Sequence, residues 1–249
     1  MALNSAERVQ IQTSKYANVG AFAILAFDYC ITFESETRWV WGRKWDIVRI
    51  IFTFSRYLPF IGAGMTVYAA THTSGGYLAG LEDNIIHIIG IVAAEGLLIL
   101  RIYAFWKCNK KLLIGLLAYA IATLAAAATV ELVPFNLIPG TTPSGDTGGF
   151  EASRNSAIVY SLLMAYEFVL LSLIIYKKWT SYREISDSMV NKVYQDGVFY
   201  IACIAFVTMM NLIFSAALPI TYSDLLDLLQ IVLHSVLASR ILFGLRESN

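Results

Sequence analysis

Seven predominantly apolar runs fill almost the whole chain: residues 16–34, 46–70, 85–106, 112–131, 157–176, 197–218 and 225–243. An α-helix rises about 1.5 Å per residue, so about 20 residues cross the hydrocarbon core of a bilayer. Backbone in hydrocarbon must satisfy its polar groups internally, and a single segment does that only as a helix. The pattern predicts an all-α fold, a polytopic integral membrane bundle of seven transmembrane helices forming one domain over residues 1–249. Only 14% of the residues are charged, where a soluble domain has about a quarter. The formal net charge is zero, so no basic field suits nucleic acid, and nucleic acid is not an expected partner.

Lysine and arginine near span ends stay on the cytosolic side. Arg38, Arg43 and Lys44 follow the first span, Lys107, Lys110 and Lys111 the third, and Lys177, Lys178, Arg183 and Lys192 the fifth. The connections after the second and sixth spans have no Lys or Arg, and the long fourth one has only Arg154. The expected orientation is N-terminus outside and C-terminus cytosolic, against which only Arg8 and Lys15 argue. Tryptophan prefers the headgroup interface, and Trp39, Trp41, Trp45, Trp106 and Trp179 all fall on the same predicted side. The polar start MALNSAERVQIQTSK precedes a run of full span length, which reads as an uncleaved signal anchor. A plasma or secretory-pathway membrane is the expected location. Gly115, Ala118, Ala122 and Ala126 make a small-residue stripe expected to receive a neighbouring helix. Cys30, Cys108 and Cys203 are scattered and read as free thiols.

Charges inside the spans carry the most information, because an ionisable group at the bilayer centre costs at least about 2.5–3.5 kcal/mol and needs an interior partner. Counting from span ends places Glu95, Glu167, His234 and Arg56 in one midplane layer. Asp28, Glu34, Arg49, Arg101 and Arg240 form a second layer nearer the cytosol, where long arginines can also reach headgroups or clamp neighbouring helices. Asp227, Gln230 and His234 share one helical face, as do Arg49, Thr53 and Arg56. Glu95 and Arg101 are six residues apart, about 240° around a helix, and cannot pair with each other. Depth points Glu95 to Arg56 or His234, and Arg101 to Asp28 or Glu34. Thr208, Asn211 and Ser215 form a polar stripe suited to interhelical hydrogen bonds. Asp227 with His234 could hold a proton or a metal, but His72, His87 and His234 form no HxxxH or HExxH pair. No metal and no cofactor are therefore expected.

The layout resembles seven-helix receptors in topology alone. RIYAFW stands where DRY would end the third span, the seventh span has no NPxxY, and it has no lysine for a retinal Schiff base. Four stretches are more specific: YANVGAFAILAFDYCITFESETRWVW, KWDIVRIIFTFSRYLPF, AEGLLILRIYAFW and HSVLASRILFGLRE. On these the chain resembles a family of uncharacterised seven-span membrane proteins of mushroom-forming fungi, defined by an N-terminal domain of unknown function. The resemblance implies that Asp28, Glu34, Arg56, Tyr57, Pro59, Glu95, Arg101, Arg240 and Arg246 are motif positions. It implies no chemistry.

Three functions fit. The first is a receptor-like protein that binds a small lipophilic ligand between the helices, with the buried ionic layers as a two-state switch. A cytosolic protein would then dock on the loop 177–196. The second is an intramembrane enzyme, a protonation-initiated cyclase or transferase on an isoprenoid or lipid, with Glu95 or Glu167 as the catalytic acid. The third is a proton-coupled transporter, disfavoured because no internal repeat is visible.

Overall fold

A computed structural model describes residues 5–41, 46–71, 77–132, 147–181, 188–217 and 226–247. All of the regular structure in them is helical: α1 (Ser5–Trp39), α2 (Ile47–Thr71), α3 (Tyr77–Phe105), α4 (Lys110–Leu132), α5 (Thr147–Ser181), α6 (Ser188–Ala217) and α7 (Asp227–Glu247). Each contains a stretch long and apolar enough to cross a membrane. Large apolar side chains such as Phe27, Ile61, Ile114, Ile121 and Phe199 point outward, as lipid-facing surface requires.

Several helix ends are fixed locally. Asp46 caps α2, its Oδ1 accepting from the Arg49 N–H at 2.9 Å, and Asn109 caps α4 through the Lys111 N–H at 3.0 Å. At the end of α3 the Cys108 N–H reaches the Tyr103 carbonyl and the Lys107 N–H the Ala104 carbonyl. Lys107 and Cys108 both take positive φ, 53° and 56°. This paired bonding closes the helix as glycine usually does.

The helices exceed the apolar runs. α5 continues to Ser181 and α6 begins at Ser188, so most of the expected loop 177–196 is helical; residues 182–187 lie outside the described residues. The second half of the connection read after the fourth span, from Thr147, is likewise the start of α5. Hydropathy registers only the part of a helix that meets lipid, so polar helical ends pass as loop.

α3 and α7 are the most connected helices, α3 packing against α2, α4, α5 and α7 and α7 against α1, α2, α3 and α6, whereas α4 sits at the edge on α5 and α3. One apolar core, with Leu98, Ile102, Leu170 and Ile201, joins α3, α5 and α6; another, with Ala21, Leu25, Ala63 and Val232, joins α1, α2 and α7. Gly115, Ala118 and Ala122 face outward, correcting the expectation of a helix packed on their stripe. Leu116 instead turns α4 inward.

Candidate functional site

Helices α3, α5 and α7 bring Glu95, Glu167 and His234 together in the interior. They are 7%, 0% and 1% exposed. His234 lies between the acids, with Nδ1 3.2 Å from Glu95 Oε1 and Nε2 3.5 Å from Glu167 Oε1. One ligand atom from each of the three falls within 4.8 Å of the others. Neither imidazole contact has hydrogen-bond geometry. Both Glu95 carboxylate oxygens, Glu167 Oε2 and both ring nitrogens are buried without a hydrogen-bond partner among the described residues.

A polar string on α6 and α7 supports the triad from one side. Thr208 donates to Glu167 Oε1 at 2.8 Å and accepts from Gln230 Nε2 at 3.2 Å, while Asn211 Nδ2 donates to Gln230 Oε1. Glu167 is thus fixed through Oε1, the oxygen that also faces His234 Nε2, while Oε2 is buried without a hydrogen-bond partner among the described residues.

A second cluster ties α1, α2 and α7. Asp28 accepts from Arg56 Nη1 at 2.7 Å and from Arg240 Nε at 2.8 Å. Arg56 also donates to Thr32, approaches Glu36 Oε2 at 3.6 Å and stacks over the Tyr29 ring at 5.4 Å. Glu36 accepts in turn from the Tyr57 hydroxyl and from Trp41 Nε1. In charge the two clusters differ. Asp28 and Glu36 are matched by Arg56 and Arg240, whereas Glu95 and Glu167 face a single imidazole, which at most supplies one positive charge.

The sequence reading needs four corrections. Arg56 belongs with Asp28 and Glu36, not with the midplane triad, because the apolar stretch of α1 runs on to Arg38, beyond the 34 read from sequence, and sets Asp28 about as deep as Arg56. Glu34 is exposed, and the buried acid at this end of α1 is Glu36. Arg101 does not meet Asp28, whose two oxygens are taken by Arg56 and Arg240. Its guanidinium lies instead against Gly197 of α6, where a Cβ would fall 2.4 Å from Nη2. Asp227 accepts from the Tyr160 hydroxyl on α5, so the acids beside His234 are Glu95 and Glu167.

Glu36 is the residue that sequence reasoning missed, although the signal was present. Asp28, Thr32 and Glu36 recur every four residues along one face of α1, whereas Glu34 lies six residues from Asp28, about 240° round the helix.

At the other ends of α3 and α5, aromatic rings and lysines pack together. Trp106 stacks on Tyr176 at 6.2 Å, Lys177 sits 5.0 Å from the Trp106 ring and Lys178 4.2 Å from the Tyr194 ring. Burial holds the Tyr194 hydroxyl above its ordinary pKa range, so the ring meets Lys178 as a neutral phenol.

Residues 16–61 match the model of a family of unknown function, DUF6533. The matched segment holds the α1–α2 part of the second cluster, Asp28, Thr32, Glu36, Arg56 and Tyr57, and none of the triad. No curated protein and no solved structure matches the chain.

Proposed function

We propose that this multi-pass membrane protein is a receptor-like binder of a small lipophilic ligand, and that α7 is the element through which it responds. The observation that carries the reading is the double tether of α7. His234 holds it to acids on α3 and α5, and Arg240 holds it to Asp28 on α1. The two residues are six apart, so they leave the helix in directions about 240° from each other. A ligand whose polar end engages the triad alters the pull on one side of α7 only, and the helix turns or slides against the Asp28 cluster. Such a shift needs differential affinity for two arrangements, and a buried acid–imidazole set supplies it.

In this reading the basic ends of α1, α3 and α5 face the cytosol, and the helical ends of α5 and α6 within 177–196 are where a cytosolic protein would sense the movement. The membrane is the plasma membrane or one of the secretory pathway. The seven-span fungal family that the chain resembles is the expected kinship.

The test is to extract protein purified in lipid nanodiscs and profile retained small molecules for the wild type and Glu167→Gln. A molecule held by the wild type and lost from a folded variant supports ligand binding. A converted product appearing only in cells expressing the wild type would make the protein an enzyme with Glu95 or Glu167 as the acid. No retained molecule, together with an α7 that does not move when lipid extracts are added, refutes the receptor-like reading.

A further inference from the structure

We infer that Glu95, Glu167 and His234 form a binding site for a divalent first-row transition metal ion, of which zinc is the best match. The inference goes beyond ligand binding and rests on it only for the last coordination position. Four features of the triad point the same way.

First, the donor set is right: one imidazole and two carboxylates from three different helices, each offering an atom within 4.8 Å of the others. With bonds of about 2.0–2.2 Å, tetrahedral ligands stand about 3.5 Å apart. His234 turns a different nitrogen to each acid, Nδ1 3.2 Å from Glu95 Oε1 and Nε2 3.5 Å from Glu167 Oε1; an ion takes one of the two, so binding turns the ring and a carboxylate to close a span of at most 4.8 Å. An imidazole in the set favours a transition metal over calcium or magnesium, which want more oxygens.

Second, the atoms that would bind are the buried ones without a hydrogen-bond partner: Glu95 Oε1 and Oε2, Glu167 Oε2 and the His234 nitrogens. A protonated imidazole can face both acids but still leaves one negative charge uncancelled, whereas an ion engages one atom from all three residues. Third, the charge closes. Two carboxylates and a neutral imidazole carry two negative charges, which a divalent ion cancels in a place where net charge is costly.

Fourth, Glu167 has the outer support that metal-ligating carboxylates usually have. Thr208 donates to its Oε1 and is itself held by Gln230, which Asn211 holds in turn. Three protein ligands leave one position of a tetrahedral ion open, and the polar end of a small molecule would occupy it.

The experiment uses full-length protein with a tag free of histidine, in nanodiscs, stripped with a chelator and titrated with ZnCl2. Bound metal is measured by elemental mass spectrometry, and Co2+ is used in parallel for the visible absorption bands of a low-symmetry nitrogen–oxygen site. One equivalent of zinc should bind, and binding should disappear in Glu95→Gln and Glu167→Gln. Asp227→Asn, on the same helix but bonded to Tyr160, should bind normally. Thr208→Val, which keeps all three ligands, should weaken zinc binding about 10- to 100-fold. Should the glutamine variants not fold, the wild type and Thr208→Val still decide the matter. Failure of the stripped wild type to take up one equivalent, or equal affinity in the wild type and Thr208→Val, overturns the proposal. Failure of zinc uptake by protein that still retains a small molecule overturns the metal and leaves ligand binding standing.

Discussion

Asp28 receives two guanidinium groups at nearly the same distance, Arg56 at 2.7 Å and Arg240 at 2.8 Å. At equal dielectric the two Coulomb energies would differ by only a few per cent. Burial separates them: the Arg56 side chain is fully buried, whereas that of Arg240 is 41% exposed. Arg240 also lies one turn from the end of its membrane-crossing stretch at Gly244, within reach of headgroups and water. Coupling across Asp28 and Arg56 should therefore be about 2–4 kcal/mol, and across Asp28 and Arg240 below about 1 kcal/mol. Polar pairs in membrane proteins average about 0.6 kcal/mol because the unfolded helices find other partners, so the first value stands clear of that background. The assay is a pair of double-mutant cycles, Asp28→Asn with Arg56→Met and Asp28→Asn with Arg240→Met, by reversible unfolding in mixed micelles. Arg56→Met alone should cost about 3–5 kcal/mol, since it leaves two buried carboxylates with only the half-exposed Arg240 to balance their charge. Equal couplings, or the reverse order, would refute the claim that burial sets the strength of these bonds.

Three other outcomes are expected. In the same unfolding assay, Glu36→Gln should destabilise the bundle by about 1–3 kcal/mol through its bonds to Tyr57 and Trp41, while Glu34→Gln should stay within about 0.5 kcal/mol of wild type. Gly197→Ala should cost about 1–3 kcal/mol by driving a methyl into the Arg101 guanidinium, and Gly197→Ala combined with Arg101→Ala should cost less than the sum of the single changes. Asp46→Ala should remove the cap of α2 and lower stability by about 1 kcal/mol, with faster hydrogen exchange confined to the first turn of α2.

All seven helices were legible because the bilayer imposes one length and one composition on whatever crosses it. Their polar extensions were not: Lys177–Ser181 and Ser188–Asp196 carry no apolar signal, and only the structure makes them helix. Within the interior, residue counting set the depths of Glu95, Glu167 and His234, which converge from three helices. The same counting parted Arg56 from Asp28, because it ended the first span at residue 34 while the apolar stretch of α1 runs on to Arg38. Which helices are neighbours is a tertiary property that one sequence does not encode locally. Hence Arg101 was given to Asp28 or Glu34, although α3 presents it to Gly197 on α6. The face of α1 was legible and misjudged, since four-residue spacing from Asp28 selects Glu36 over Glu34.

The position of α7 at the centre of the bundle sets an order of events during biosynthesis. Translation delivers helices from the N-terminus onward, so Asp28 meets Arg56 as soon as α2 enters the membrane. Glu95 and Glu167 must wait through four and two further helices respectively, until His234 arrives with α7. Until then each is an acid in hydrocarbon without its partner, a state that favours retention beside the insertion machinery or loss of the early helices from the bilayer. The arrival of α7 thus brings one imidazole to both acids at once.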